Sequence, residues 1–255
     1  MLAAVRSVFA GLALHEFRLL WFGSLSAFVG FFTSVVAQSI IAFQITGENR
    51  AVGIVVFGRG LAMLLFGPVA GAYADRVRKR SILLTCQTFT AVVFWGLALL
   101  MHLGLMGIGV LTAGAFLVGT TFAFLGPTRQ AYVLELVPEA GRGNAIALNQ
   151  VALNASRLIG PALAGALLAW EVSGATGAFV AMGALYALAA VTQVGLPSAT
   201  PPARPDAGGI LDDVMDGIAY VRSGRRLRLL VLMFVLVIML GFPHVSVVPG
   251  FVRHV

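Results

Sequence analysis

The chain reads as an all-α, polytopic membrane protein, and three observations carry that reading: composition, the length of its apolar stretches, and the placement of its basic residues. Of 255 residues, 59% are apolar and 11% are charged, and the mean hydropathy is +0.96. A water-soluble fold covers itself with roughly 25% charged residues, whereas a lipid-facing helix needs none. Crossing a hydrocarbon core about 30 Å thick takes about 20 apolar residues. Stretches of about that length run from Leu19 to Ile45, Val52 to Ala74, Ser81 to His102, Ile108 to Gly126, Ala145 to Trp170, Gly174 to Leu196 and Leu229 to Val248.

Residues 1–18 precede the first span and contain Arg6, His15, Glu16 and Arg18. They form a mildly amphipathic lead-in at the membrane interface rather than a cleavable signal. Residues 19–196 make a six-helix transmembrane bundle. Residues 197–228 form a linker that opens with Pro197, Pro201, Pro202, Pro205, Gly208 and Gly209, too many breakers for a helix. Beyond them Ile210, Val214, Ile218 and Val221 recur at helical spacing, opposite Asp212, Asp213 and Asp216, as in a helix lying on the membrane surface. Residues 229–255 hold the seventh span.

Basic residues fix the expected orientation. Arg6 and Arg18 lie in the leader, Arg76, Arg78, Lys79 and Arg80 in the second loop, Arg129 and Arg142 in the fourth, and Arg204, Arg222, Arg225, Arg226 and Arg228 in the sixth, whereas the odd loops hold only Arg50. Positive charge resists translocation, so the N-terminus and the even loops are expected in the cytoplasm, with the protein in the inner (plasma) membrane. The formal charge of +7 is scattered over span ends, where anionic lipid explains it better than nucleic acid does. Cys86 is the single cysteine, which excludes a disulfide framework and argues against a cysteine metal cluster. No metal-ligand cluster, Walker-type loop or hydrolase constellation is present, so neither an enzyme nor an ATP-driven pump is expected, and no cofactor.

Arg59 and Arg157 fall inside predicted spans, where arginine by default faces a bundle interior or a wet cavity. Gln150, Asn154 and Arg157 recur at i, i+4 and i+7 and lead into Gly160 and Pro161, so one face of the fifth helix is polar down to a kink. Gln38, Gln44 and Ser34 give the first helix its own polar positions. These residues either line a cavity or hold helices together. His102 and His244 sit at span ends, as interfacial histidines do, and every acidic residue lies at a span end or in a loop.

The second loop, Gly71-Ala-Tyr-Ala-Asp75-Arg76-Val-Arg78-Lys79-Arg80, resembles the signature loop of the major facilitator superfamily. Gly126-Pro127-Thr-Arg129-Gln-Ala131, Glu135-Leu-Val-Pro138-Glu139 and Arg157-Leu-Ile-Gly160-Pro161-Ala-Leu-Ala-Gly165 are similar to the enterobactin-exporter and macrolide-efflux branch. Arg78 departs from the glycine usual in the loop, and Ala164 stands where a glycine is common. The resemblance implies two six-helix bundles around a central cavity, of which the chain covers the first plus the seventh helix. It implies a conformational latch built on Gly71, Asp75, Arg76, Lys79 and Arg80 and closed by the eleventh helix. It also implies cavity contacts from Gln38, Arg59, Gln150, Asn154 and Arg157, and a bending fifth helix at Gly160, Pro161 and Gly165. The expected activity is secondary efflux, by antiport, of a drug-like or siderophore-like small molecule, with membrane lipid and a second half-transporter or a second copy as partners. The alternative is a non-transporting half or scaffold that needs a partner polypeptide. Without the family, Gly71 would permit close approach to a neighbouring helix, and Arg76 to Arg80 would anchor topology at an anionic surface.

Overall fold

A computed structural model describes residues 10–170, 174–198, 215, 219 and 223–241. Contacts divide the chain into two units, residues 1–203 and 204–255. The described residues are helical or irregular, without a strand. In the first unit a 3-10 turn at Ala10–Ala13 precedes α1 (His15–Thr46), α2 (Asn49–Arg76), α3 (Lys79–His102), α4 (Ile108–Leu136), α5 (Glu139–Ala169) and α6 (Gly174–Val194). In the second, α7 spans Arg225–Gly241. The six helices of the first unit are long and apolar enough to cross a membrane.

Their connections are short. Gly47 and Glu48 join α1 to α2, Val77 and Arg78 join α2 to α3, and Val137 and Pro138 join α4 to α5. Gly47 closes α1 in the left-handed region at φ 71°, donating its N–H to the Phe43 carbonyl at 2.7 Å. Only glycine takes that conformation without strain. Links this short make successive helices antiparallel, so α1, α3 and α5 begin at one end of the bundle and α2, α4 and α6 end there.

α1 is the hub. It packs on α2, α4, α5 and α6, while α2 packs on α4, and α3 on both α4 and α6. Burial follows: 61% of the most apolar window of α1 is enclosed, against 22% for α2 and for α5. Those two therefore present the most open flanks. Lipid tails are as apolar as leucine, so helix association here rests on close packing and on interhelical hydrogen bonds. Phe31 on α1 and Phe122 on α4 stack with ring centroids 3.7 Å apart. Ser26 donates to the Leu185 carbonyl at 2.7 Å, Trp21 to the Leu148 carbonyl at 2.9 Å, Thr90 to the Thr121 hydroxyl at 2.8 Å, and the Gln87 amide to Gln193 at 3.1 Å. A side chain at Gly119 of α4 would press its Cβ to 2.6 Å from the Arg59 carbonyl oxygen, which ties α4 to α2 at the level of that arginine.

Three sequence expectations are corrected. Gly126-Pro127 does not stop the fourth helix: α4 continues to Leu136, so most of the expected fourth loop is helix, and Arg129 is a helical residue instead of a loop charge. Proline is tolerated inside a span: Pro127 withdraws only the N–H that would have met the Ala123 carbonyl, and α4 continues through the next turn, where the Thr128 hydroxyl donates to the Phe124 carbonyl at 2.7 Å. α5 begins six residues earlier than expected, at Glu139 rather than Ala145. The leader likewise yields its last four residues to α1, which starts at His15. Of the expected surface helix, Met215, Ala219 and Ser223 are described and helical; Ile210, Val214, Ile218, Val221 and the three aspartates lie outside the described residues, as do Arg6, His244 and Val248.

Candidate functional site

Two arginines converge on one level of α1, from different helices. Arg59 of α2 reaches the stretch Phe31–Gln38: its guanidinium lies over the Phe31 ring, 5.5 Å from the centroid, donates to the Ser34 carbonyl at 3.4 Å, and donates to Gln38 Oε1. Arg59 is 6% exposed and Gln38 not at all. Desolvating one ion in a protein costs several kcal/mol. A hydrogen bond to a charged group returns about 1.5–3 kcal/mol, and a desolvated cation–π contact about 2 kcal/mol, so these partners together roughly offset the burial. Arg59 Nε and Gln38 Nε2 remain buried without a partner.

Arg157 of α5 meets α1 at Phe32 and stays exposed. Its guanidinium lies 5.8 Å from the Phe32 ring centroid and donates to Asn154 Oδ1 at 3.4 Å. Gln150 and Asn154 are exposed with it, so the polar stripe faces outward from the bundle. One turn on, Gly160 seats α5 on α1. A Cβ there would come within 2.5 Å of Phe32 Cβ and 2.8 Å of backbone atoms of Phe32 and Thr33. Pro161 follows on the exposed side within an uninterrupted helix, and Gly165 has open space around it. The structure thus pairs Gln38 with Arg59 inside the bundle and Asn154 with Arg157 on its surface, with Phe31 and Phe32 between the two guanidiniums.

At the end where α1, α3 and α5 begin, the basic loop is tied into its own bundle. Lys79 is 8% exposed and pairs with Glu135 at the end of α4 at 2.7 Å, and Arg80 donates to the Val194 carbonyl at the end of α6. Tyr132 of α4 adds a hydrogen bond to the Pro197 carbonyl. Asp75 is exposed, and Arg76 half-buried. Gly71 departs from expectation: nothing lies within 4 Å of a Cβ built there, so among the described residues it makes no close approach to a neighbour. His102 is exposed at the far end of α3, beside Trp170.

Sequence reasoning missed Arg129, because its loop assignment hid it. The side chain is 1% exposed, its guanidinium lies 4.4 Å from the Phe28 ring centroid, and Nε, Nη1 and Nη2 all lack hydrogen-bond partners. A helical repeat through Thr120, Phe124 and Thr128, which carries α4 past Pro127, was the available signal.

The profile of the transmembrane secretion effector family matches residues 6–254. Among curated proteins, an uncharacterized major facilitator-type transporter of Bacillus subtilis, YfiS, is 25% identical over 131 residues, which is 51% of this chain and 30% of that protein. With six membrane-length helices packed about α1 and a family profile that covers nearly every residue, the chain belongs to the transmembrane secretion effector family of major facilitator transporters.

Proposed function

We propose that the chain works in secondary efflux, by antiport, of a drug-like or siderophore-like small molecule across the inner membrane, with its N-terminus and basic loops in the cytoplasm. The observation that carries this is the open α5 face. Gln150, Asn154 and Arg157 project from the bundle at mid-helix, where a guanidinium facing lipid without a counter-charge would be strongly unfavourable. A polar stripe at that depth suits a wet cavity closed by a second bundle, with substrate near the midplane and alternating exposure to the two sides. Gly160 gives α5 a close seat on α1 and Pro161 a weak point beside it, so α5 can bend where the stripe ends. The direction of transport rests on the similarity of Arg157 to Gly165 to exporters. Lys79, Glu135 and Arg80 act as the fixed side of the latch, holding the loop so that Asp75 and Arg76 face a partner bundle.

The test is transport by the assembled exporter in proteoliposomes, against a panel of macrolides and catecholate siderophores. Arg157→Ala is expected to abolish substrate-specific efflux at near-normal protein levels, and Arg157→Lys to restore a part. Equal loss of protein in both variants would overturn the cavity role and leave Arg157 as helix glue.

A further inference from the structure

Arg129 belongs to neither the α5 stripe nor the basic-loop latch. It lies seven residues, about 10 Å, before the end of α4. Ser24 lies nine residues into α1, Cys86 seven into α3, and Tyr186 eight before the end of α6, so four helices place these side chains at one depth near the basic end. The Tyr186 ring packs on α1 at Gly30, two residues beyond the Phe28 whose ring carries the Arg129 guanidinium, and Tyr186 interacts electrostatically with Arg129 first and Arg59 second, with Cys86 a further neighbour of Arg129. Ser24 precedes Phe28 by one helical turn and shares its face of α1, and the Phe28 ring carries the guanidinium. The Ser24 hydroxyl and Tyr186 hydroxyl are buried without partners, like all three nitrogens of Arg129. None of the acidic side chains among the described residues is buried with them; Glu16, Glu48, Asp75, Glu135 and Glu139 all lie at the surface. The cluster therefore presents a full positive charge and at least two hydroxyl donors, and lacks an anion to receive them.

We propose that this enclosed site, walled by α1, α3, α4 and α6, binds a small inorganic anion of the halide or nitrate class, with Arg129 as charged ligand and Tyr186 and Ser24 as neutral donors. Water would satisfy the donors but leave the charge in a low-dielectric interior; an anion answers both demands. The enclosure argues for small size, since an arginine 1% exposed leaves no path for a bulky substrate. The site is separate from the α5 stripe and does not depend on the direction of transport.

Chloride-35 line broadening on the full chain in detergent micelles reads this directly. A saturable component displaced by nitrate is expected; Arg129→Gln should weaken it by about tenfold or more, while Arg157→Gln leaves it intact. Tyr186→Phe and Ser24→Ala should each weaken it severalfold, which keeps the test open if Arg129→Gln does not fold. Absence of a saturable component in the unaltered chain, or equal broadening in all these variants, would overturn the site in favour of water. Displacement by phosphatidylglycerol but not by nitrate would also overturn it, since a lipid headgroup would then be the ligand.

Discussion

Arg59 and Gln38 form a buried hydrogen-bonded side-chain pair between α1 and α2. Gln38 is fully enclosed and offers Oε1 to the guanidinium, and the Ser34 carbonyl supplies the second acceptor. Removing one partner of such a contact strands the other in apolar surroundings, a larger loss than the contact itself was worth. Gln38→Leu is therefore expected to destabilise the protein by about 2 kcal/mol, and Arg59→Leu by as much or more. The double variant should recover part of the sum, because an apolar pair of similar volume leaves nothing unsatisfied. Unfolding midpoints in detergent, followed by tryptophan fluorescence, give the coupling; strictly additive losses would mean that the two side chains do not act as a pair. Transport by the double variant separates the roles further. A stable, inactive protein would place Arg59 in the transport cycle, and a stable, active one would make it helix glue.

Among the elements, α5 packs on α1 along one buried stripe, approaches it most closely at Gly160, and leaves its opposite face open. Gly160→Ala puts a methyl against the Phe32 backbone, which cannot yield as a flexible side chain could, so a loss of about 1–3 kcal/mol is expected. Gly165→Ala meets open space and is expected to be neutral or slightly stabilising, since alanine favours the helix by roughly 0.5–1 kcal/mol over glycine. Thermal midpoints of the two variants check this pair, and equal effects would contradict the seat at Gly160. The two glycines look alike in sequence, because spacing along one helix does not say what the neighbouring helix brings to each position. The same limit explains α4. Apolar length and a Gly-Pro pair argue for a stop at Gly126, yet Pro127 removes a single backbone bond, a loss that a span tolerates, so the helix runs on and carries Arg129 inside. The six spans themselves were legible, since a run of about 20 apolar residues has few other uses. Which polar residue is enclosed and which faces outward was legible only as a choice between cavity and glue. Gln38 and Arg59 turn inward, while Gln150, Asn154 and Arg157 turn outward, because packing against α1 decides it.

At the scale of the whole molecule, one end of the bundle collects the basic residues and also the contacts that bind three helices together. Lys79 meets Glu135, Arg80 meets the end of α6, and Tyr132 holds Pro197 where the chain leaves the bundle. The loop thus has two separable properties, a fixed inner side and a charge that resists translocation. Glu135→Gln should weaken only the first. Lys79 is buried and Glu135 about a third exposed, and glutamine keeps an acceptor oxygen in place, so the loss is expected to cost about 1–3 kcal/mol without altering topology. Orientation is read independently, with a single cysteine introduced in a Cys86→Ser background. A cysteine at Arg78 is expected to be shielded from impermeant thiol reagents in intact cells and to react once the membrane is opened, whereas one at Glu48, at the opposite end and exposed, should react in intact cells. Labelling at Arg78 from outside would invert the molecule, and with it the direction in which the α5 stripe is first loaded.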